Sequence, residues 1–243
     1  MKPFLLALQF FTIITLRADL SAGPEDLRRS RAWYGPVGVI LGLLLAAWGW
    51  LLGWVLPPLA LAGVLTALWA KLTRFLHLDG LADTADALVH MTSRERALEI
   101  MKDSRVGSFG VCAVAVTLLV KFAALASMGP SRLLSALIVV PGLARAMAGL
   151  MAALLPPARS QGLGAAVAGP GSLRPELVSA AAALVVAGLL AGRPGLWAAL
   201  GVLLVGLIQG WWYQRRLGGI TGDTLGAGIE SAEAMALLVL CAA

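Results

Sequence analysis

The sequence predicts an all-α, polytopic transmembrane helix bundle of seven spans, preceded by a short N-terminal re-entrant or interfacial helix. Three observations carry this reading. Of 243 residues, 59% are hydrophobic and only 13% are charged, whereas soluble domains carry about 25% charged residues. Seven apolar runs approach the length, about 20 residues, that a helix needs to cross roughly 30 Å of hydrocarbon. The connections between the runs also alternate in kind, tight Gly/Pro turns taking turns with longer polar segments.

The elements follow in order. Residues 3–16 form an apolar run behind Lys2, and Arg17 and Asp19 stand where a cleavage site would need small residues, so the segment is expected to stay in place. At about 1.5 Å per residue it is too short to cross comfortably. The spans are expected at 33–56, 59–70, 106–128, 133–155, 177–191, 196–213 and 225–243. Pro57-Pro58, Gly129-Pro130 and Gly192-Arg193-Pro194-Gly195 make tight turns, while 17–32, 71–105, 156–176 and 214–224 are polar.

Crossing alternately places all four polar connections on one side. That side holds fourteen Lys and Arg, Arg28, Arg94 and Arg215 among them, against Arg132 and Arg193 on the other, which makes it cytoplasmic. The same bias accounts for the net charge of +6 without nucleic acid, because the basic residues sit in short loops and not in one stripe. Gly38/Gly42 and Gly206/Gly210 would let helices approach closely. Cys112 and Cys241 lie inside apolar runs and read as packing residues. No separate soluble domain fits beside the spans, so residues 1–243 form a single membrane domain.

Three segments could carry chemistry. In the first, Asp79, Asp83 and Asp86 are i+4 and i+3 neighbours that stack three carboxylates on one helical face, with Leu81, Ala82, Ala85 and Leu88 where a solvated face would interleave lysines. The repulsion asks for a cation, and hard oxygen donors without cysteine suit Mg²⁺ or Mn²⁺. His77 falls on the opposite face, and His90 returns to the Asp face. In the second, Lys102, Asp103, Ser104, Arg105, Gly107 and Ser108 run directly into a span, and a helix N-terminus with two added cations favours a phosphate or pyrophosphate. The third, Gly218 to Gly226, contains Thr221 and Asp223 and lacks the Gly-Lys-Ser/Thr of a Walker loop; Asp223 is either a site residue or an N-cap.

Two further charges lie inside apolar runs. Glu230 stands two turns beyond Asp223, and Arg145 stands mid-span after Pro141-Gly142, so each needs a partner or a wet cavity. They are expected to pair with each other, or Arg145 to hold substrate phosphate. Lys121, nearer the external end of its span, is expected to snorkel and is given no function.

Together these segments resemble the cobalamin synthase family, the adenosylcobinamide-GDP ribazoletransferases. The resemblance rests on Leu-His-Leu-Asp-Gly-Leu-Ala-Asp-Thr-Ala-Asp at 76–86, Ile-Met-Lys-Asp-Ser-Arg-Val-Gly at 100–107 and Gly-Ile-Thr-Gly-Asp-Thr-Leu-Gly-Ala at 219–227. Arg31 with 34–38, and Arg159 with 160–164, support it. Arg74-Phe75 and Ala87 depart from it, standing where the family tends to have a Gly pair and a Gly, and 15–20 lacks its proline-containing pattern.

The resemblance implies that the 3′-hydroxyl of α-ribazole, or of its 5′-phosphate, attacks the cobinamide-linked phosphorus of adenosylcobinamide-GDP and releases GMP. It implies Mg²⁺ held by Asp79, Asp83 and Asp86, with Asp103 and Asp223 as further ligands or the base. Lys102 and Arg105, with Ser104 and Thr221, would hold the phosphates, and Arg145 would act beside them. The expected setting is the bacterial inner membrane, with the lipid bilayer as surroundings, the site on the cytoplasmic face, and homo-oligomerisation left open. A CDP-alcohol phosphotransferase, echoed by Asp-Gly-x-x-Ala from Asp79, and an ion-coupled transporter, which would place its acids near mid-membrane, remain the alternatives.

Overall fold

The structure, a computed structural model, describes residues 1–14, 22–89, 93–103 and 105–243; Arg17 with the 15–20 stretch, His90 and Ser104 lie outside the described residues. Eleven α-helices are described, namely α1 (Lys2–Phe11), α2 (Pro24–Ser30), α3 (Tyr34–Leu52), α4 (Pro58–Leu72), α5 (Leu76–Val89), α6 (Arg94–Ile100), α7 (Ser108–Ala126), α8 (Pro130–Leu154), α9 (Leu163–Val167), α10 (Arg174–Leu217) and α11 (Gly222–Ala242). Among the described residues there is no strand, and one parallel bridge joins Pro157 to Ile220. The expected all-α membrane fold is therefore the observed one.

The bundle is built around α8, which packs on α3, α10 and α11. The α3–α8 crossing is the tightest: a Cβ on Gly38 would fall 2.3 Å from the Pro141 carbonyl oxygen, and one on Gly42 2.5 Å from that of Leu137. Pro141 has no N–H for the Leu137 carbonyl, so the oxygen that faces Gly42 lacks its usual helical donor. The expectation for this glycine pair holds.

One span differs from the sequence expectation. The run 59–70 becomes α4, whose 15 residues cover only about 22 Å, and the chain then turns by 86° into α5. Five helices are long and apolar enough to cross by themselves, and six if the bent α4–α5 pair counts as one crossing, so seven separate long helices are not found. One of the five, α10, runs for 44 residues but breaks at Gly192, with φ 58° and ψ −139°, a backbone conformation open to glycine. There the chain folds back, since a Cβ on Gly195 would meet the Ala187 carbonyl oxygen at 2.2 Å, residues that an unbroken helix would hold about 12 Å apart. The two arms match the runs expected at 177–191 and 196–213.

The α4–α5 bend is a Schellman motif. Phe75 N–H donates to the Ala70 carbonyl at 2.8 Å and Arg74 N–H to that of Lys71 at 2.9 Å, and both residues adopt left-handed backbones, φ 55° and 58°. Glycine is the usual residue there, which explains why Arg74-Phe75 reads as a departure. Arg74 gains something in return, because its guanidinium donates to the Gln9 carbonyl at 2.7 Å and so pins the end of α1. Phe75 is 55% exposed. Each non-glycine residue in this region costs about 1–2 kcal/mol, so Phe75→Gly should raise stability by up to about 1 kcal/mol after the extra chain entropy is subtracted. Arg74→Gly, which loses the tie to α1, should not. Denaturation midpoints of the two variants in one detergent would check this, and a Phe75→Gly protein less stable than the parent would remove strain from the account.

Two arginines gather the polar connections at one end. Arg31, 4% exposed, pairs with Glu176 at 3.0 Å and donates to the carbonyls of Ala152, Val167 and Gly169. Arg94 donates to the carbonyls of Leu217 and Ala158, each at 2.7 Å. A buried carbonyl without a donor costs about as much as a lost hydrogen bond, so each guanidinium satisfies several chain ends at once. The turns at Gly53–Pro58 and Met128–Pro130 meet at the opposite end around an apolar groove with Trp50 and Trp54. Long polar connections therefore share one end, as the alternation predicts.

Candidate active site

The first and third motif segments meet where α5 crosses α11. A Cβ on Gly80 would lie 2.9 Å from the Asp223 Cα, and one on Gly226 3.2 Å from the His77 Cα; two glycines thus let the helices touch backbone to backbone. This contact brings Asp79 and Asp83 of α5 beside Asp223 of α11. Asp83 accordingly sits in the fields of Asp79, Asp223 and Asp86, opposed by Arg159.

A cavity of about 210 Å³ opens at this crossing, and its wall includes His77, Asp79, Arg159, Asp223, Tyr34 and Phe11. The bridge at Pro157 and Ile220 fixes the loop that delivers Arg159, through Ala158 N–H to Ile220 O at 2.8 Å and Ile220 N–H to Pro156 O at 2.9 Å. Arg159 then donates to Asp223 Oδ2 at 3.0 Å. Three connections far apart in sequence converge here: a free carboxylate, a paired carboxylate and a cation.

The three stacked aspartates are not equivalent. Asp86 is buried, and its two oxygens accept the Gly107 and Gly110 N–H groups at 2.7 and 2.9 Å. The N-terminus of α7, expected to receive a substrate phosphate, is thus capped by the protein's own anion. Asp79 is exposed and Asp83 half-buried. Among the described residues no three His, Cys, Asp or Glu side chains are assembled to hold a metal ion, so the three-carboxylate metal face expected from the sequence is not formed as such.

Other expected site residues lie elsewhere. Lys102, Asp103 and Arg105 are not part of the cavity wall. Arg105 grips Asp103 at 2.6 Å and its guanidinium holds the Asp103 carboxyl down to about 2. Thr221 is fully buried as the N-cap of α11: its hydroxyl accepts the Thr224 N–H at 3.1 Å, and Thr224 Oγ1 accepts the Thr221 N–H at 2.8 Å, a reciprocal box. The hydroxyl also lies 3.2 Å from Asp223 Oδ2, where it donates. The N-cap is Thr221, and Asp223 is left for the cavity.

Arg145 is fully buried behind the wall, paired with Glu233 and not with Glu230. Glu230 binds Lys121, which also reaches Glu233 and lies over the Trp69 ring. Lys121, 4% exposed, does not snorkel; it belongs to a four-charge network that sums to zero. Glu233 escaped sequence reading, although it lies one turn after Glu230 in the same apolar run. Arg159 and Glu176 also carry partners that the sequence did not assign.

The family model described as cobalamin-5-phosphate synthase matches residues 3–241. The chain is 42% identical to an adenosylcobinamide-GDP ribazoletransferase of Pseudomonas savastanoi pv. phaseolicola, covering 99% of both chains. It is 38% identical to the protein of that name from Geotalea daltonii, over all of this chain and 98% of the relative. A Roseiflexus relative with the same name is 39% identical over 96% of this chain and 87% of its own. No solved structure matches.

Proposed function

Because the chain belongs to the cobalamin-5-phosphate synthase family, we infer that it is an adenosylcobinamide-GDP ribazoletransferase, a membrane enzyme of the final steps of cobalamin synthesis. The 3′-oxygen of α-ribazole, or of its 5′-phosphate, forms a bond to the cobinamide-linked phosphorus; the phosphorus–oxygen bond to GMP breaks, and GMP leaves with that oxygen. Asp223, oriented by Arg159 and Thr221, is the proposed acceptor of the hydroxyl proton. Arg159 is the cation on the cavity wall and the proposed clamp for the diphosphate, in place of Lys102 and Arg105. The rival phosphotransferase and transporter readings fall with the family membership.

The donor set suits a divalent cation in a reduced form. Mg²⁺ is commonly held by one or two carboxylates together with substrate phosphates, and Asp79 and Asp83 carry no hydrogen bond of their own that would compete, unlike Asp86. When bound there, Mg²⁺ would neutralise charge on the transferring phosphoryl group. The single observation that carries the reading is the cavity at the α5–α11 crossing, where Asp79, Asp223 and Arg159 share one wall.

The clustering of the arginine-rich connections at that end supports a site open to the cytoplasm and a place in the bacterial inner membrane. One assay tests these proposals together: release of radiolabelled GMP from adenosylcobinamide-GDP with α-ribazole, in sealed vesicles of known orientation. Turnover is expected from inside-out vesicles alone, to vanish in EDTA and to return with Mg²⁺. No GMP release in either orientation would sink the reaction; release that ignores EDTA would sink the metal.

A further inference from the structure

Resting on that reaction, we propose that the cavity at the α5–α11 crossing is the subsite for the benzimidazole base of the nucleoside substrate, with His77 donating a hydrogen bond to the base's unsubstituted ring nitrogen. The cavity, about 210 Å³, is smaller than the 300–1,000 Å³ of sites that enclose whole drug-sized ligands. It admits a bicyclic base and excludes a corrin ring. Its wall is largely apolar and aromatic: Phe11 stands edge-on to Tyr34, with centroids 4.5 Å apart, and 5.6 Å from His77. Flat rings are held well by edge and face contacts of this kind.

His77 supplies the polar complement. Arg145 Nη2 approaches His77 Nδ1 at 3.4 Å, and an arginine can only donate. Nδ1 therefore accepts, and the ring proton resides on Nε2. That nitrogen has no partner, although the residue is 98% buried in the cavity wall, 2% of its surface being exposed. An N-glycosylated benzimidazole has a single lone-pair nitrogen, which is the complement of a single unsatisfied donor.

Guanine, the other base in the reaction, fits less well. Its hydrogen-bonding edge offers two donor groups beside a carbonyl, whereas the cavity's charged groups are Asp79 and the Arg159–Asp223 pair, which the reaction itself requires. Distance favours the same assignment. In the nucleoside only the ribose separates the base from the attacking hydroxyl, whereas guanine is separated from the reacting phosphorus by a ribose and a phosphate. A cavity that holds both His77 and the proton-accepting carboxylate suits the nearer base.

The test uses the full-length protein in detergent, with α-ribazole and its indole analogue, in which the lone-pair nitrogen is replaced by C–H. The parent protein should show a KM for the analogue about tenfold to a hundredfold above that for α-ribazole, the loss expected when a buried donor stays unpaired. In His77→Phe the two nucleosides should become equivalent, and in His77→Gln, which keeps an N–H, part of the preference should return. The KM for adenosylcobinamide-GDP should stay within twofold throughout. Equal KM values for the two nucleosides in the parent protein would overturn the proposal whether or not the variants fold. So would a His77→Phe protein whose KM rises for adenosylcobinamide-GDP instead, which would give the cavity to guanine. Both results require GMP release by the parent, so they are distinct from a failure of the reaction itself.

Discussion

Asp79→Asn should lower GMP release by about a hundredfold or more while leaving the fold as stable as the parent, and Asp86→Asn should do the reverse. The sequence makes the two residues look alike, since both belong to one stack of carboxylates. Their surroundings separate them. Asp79 lines the cavity without a hydrogen-bond partner, so its charge is available to a cation or a reacting group. A positioned charge of that kind is worth about 10²–10³ in rate, and its removal from a cluster with Asp83 and Asp223 relieves like-charge repulsion. Asp86 instead holds two backbone N–H groups of the α7 N-terminus. An amide there turns one acceptor into a donor that faces an N–H, and it also removes a negative charge from the positive end of a helix. A buried unsatisfied donor costs about 1–3 kcal/mol, so Asp86→Asn should shift the denaturation midpoint and leave turnover per folded molecule within tenfold. If Asp79→Asn keeps more than a tenth of the parent turnover, the cavity is not where the reaction occurs.

The second large effect is expected in the buried charge network. Glu233 bridges Arg145 and Lys121, while Glu230 serves Lys121 alone. Glu233→Gln strands Arg145, fully buried with a marginal carbonyl contact, His77 and the Phe11 ring besides, and breaking such a pair costs about 3–5 kcal/mol. Arg145→Met leaves Glu233 to share Lys121 with Glu230, two buried carboxylates on one cation. The double variant removes a matched pair and leaves Lys121 with Glu230, so it should cost clearly less than the two single losses summed. Arg145→Met with Glu230→Gln should be nearer additive, because those residues are not paired. Unfolding of the six proteins, the parent, the three single variants and the two doubles, in one detergent measures both couplings. A coupling of Arg145 to Glu230 as strong as that to Glu233 would mean the network is wired otherwise.

Much of the molecule follows from the sequence alone. An apolar chain with few charges has no stable state in water and must satisfy its backbone within helices, and that holds whatever the helices touch. The positions of the tight turns and polar connections then set which ends meet, and the polar ends do gather on one side. Asp79, Asp83 and Asp223 are legible for the same reason, because carboxylates next to apolar runs are costly without a purpose. Tertiary structure decided the rest. Whether a carboxylate is free or already used depends on which backbone approaches it, so Asp79 and Asp86, two turns apart on one helix, have opposite roles. Arg145 and Glu233 are 88 residues apart, and Lys121 and Glu230 are 109 apart; rotation of α7, α8 and α11 about their axes selects those partners. Periodicity along one helix states which residues share its face, but carries no information about which face of another helix lies opposite.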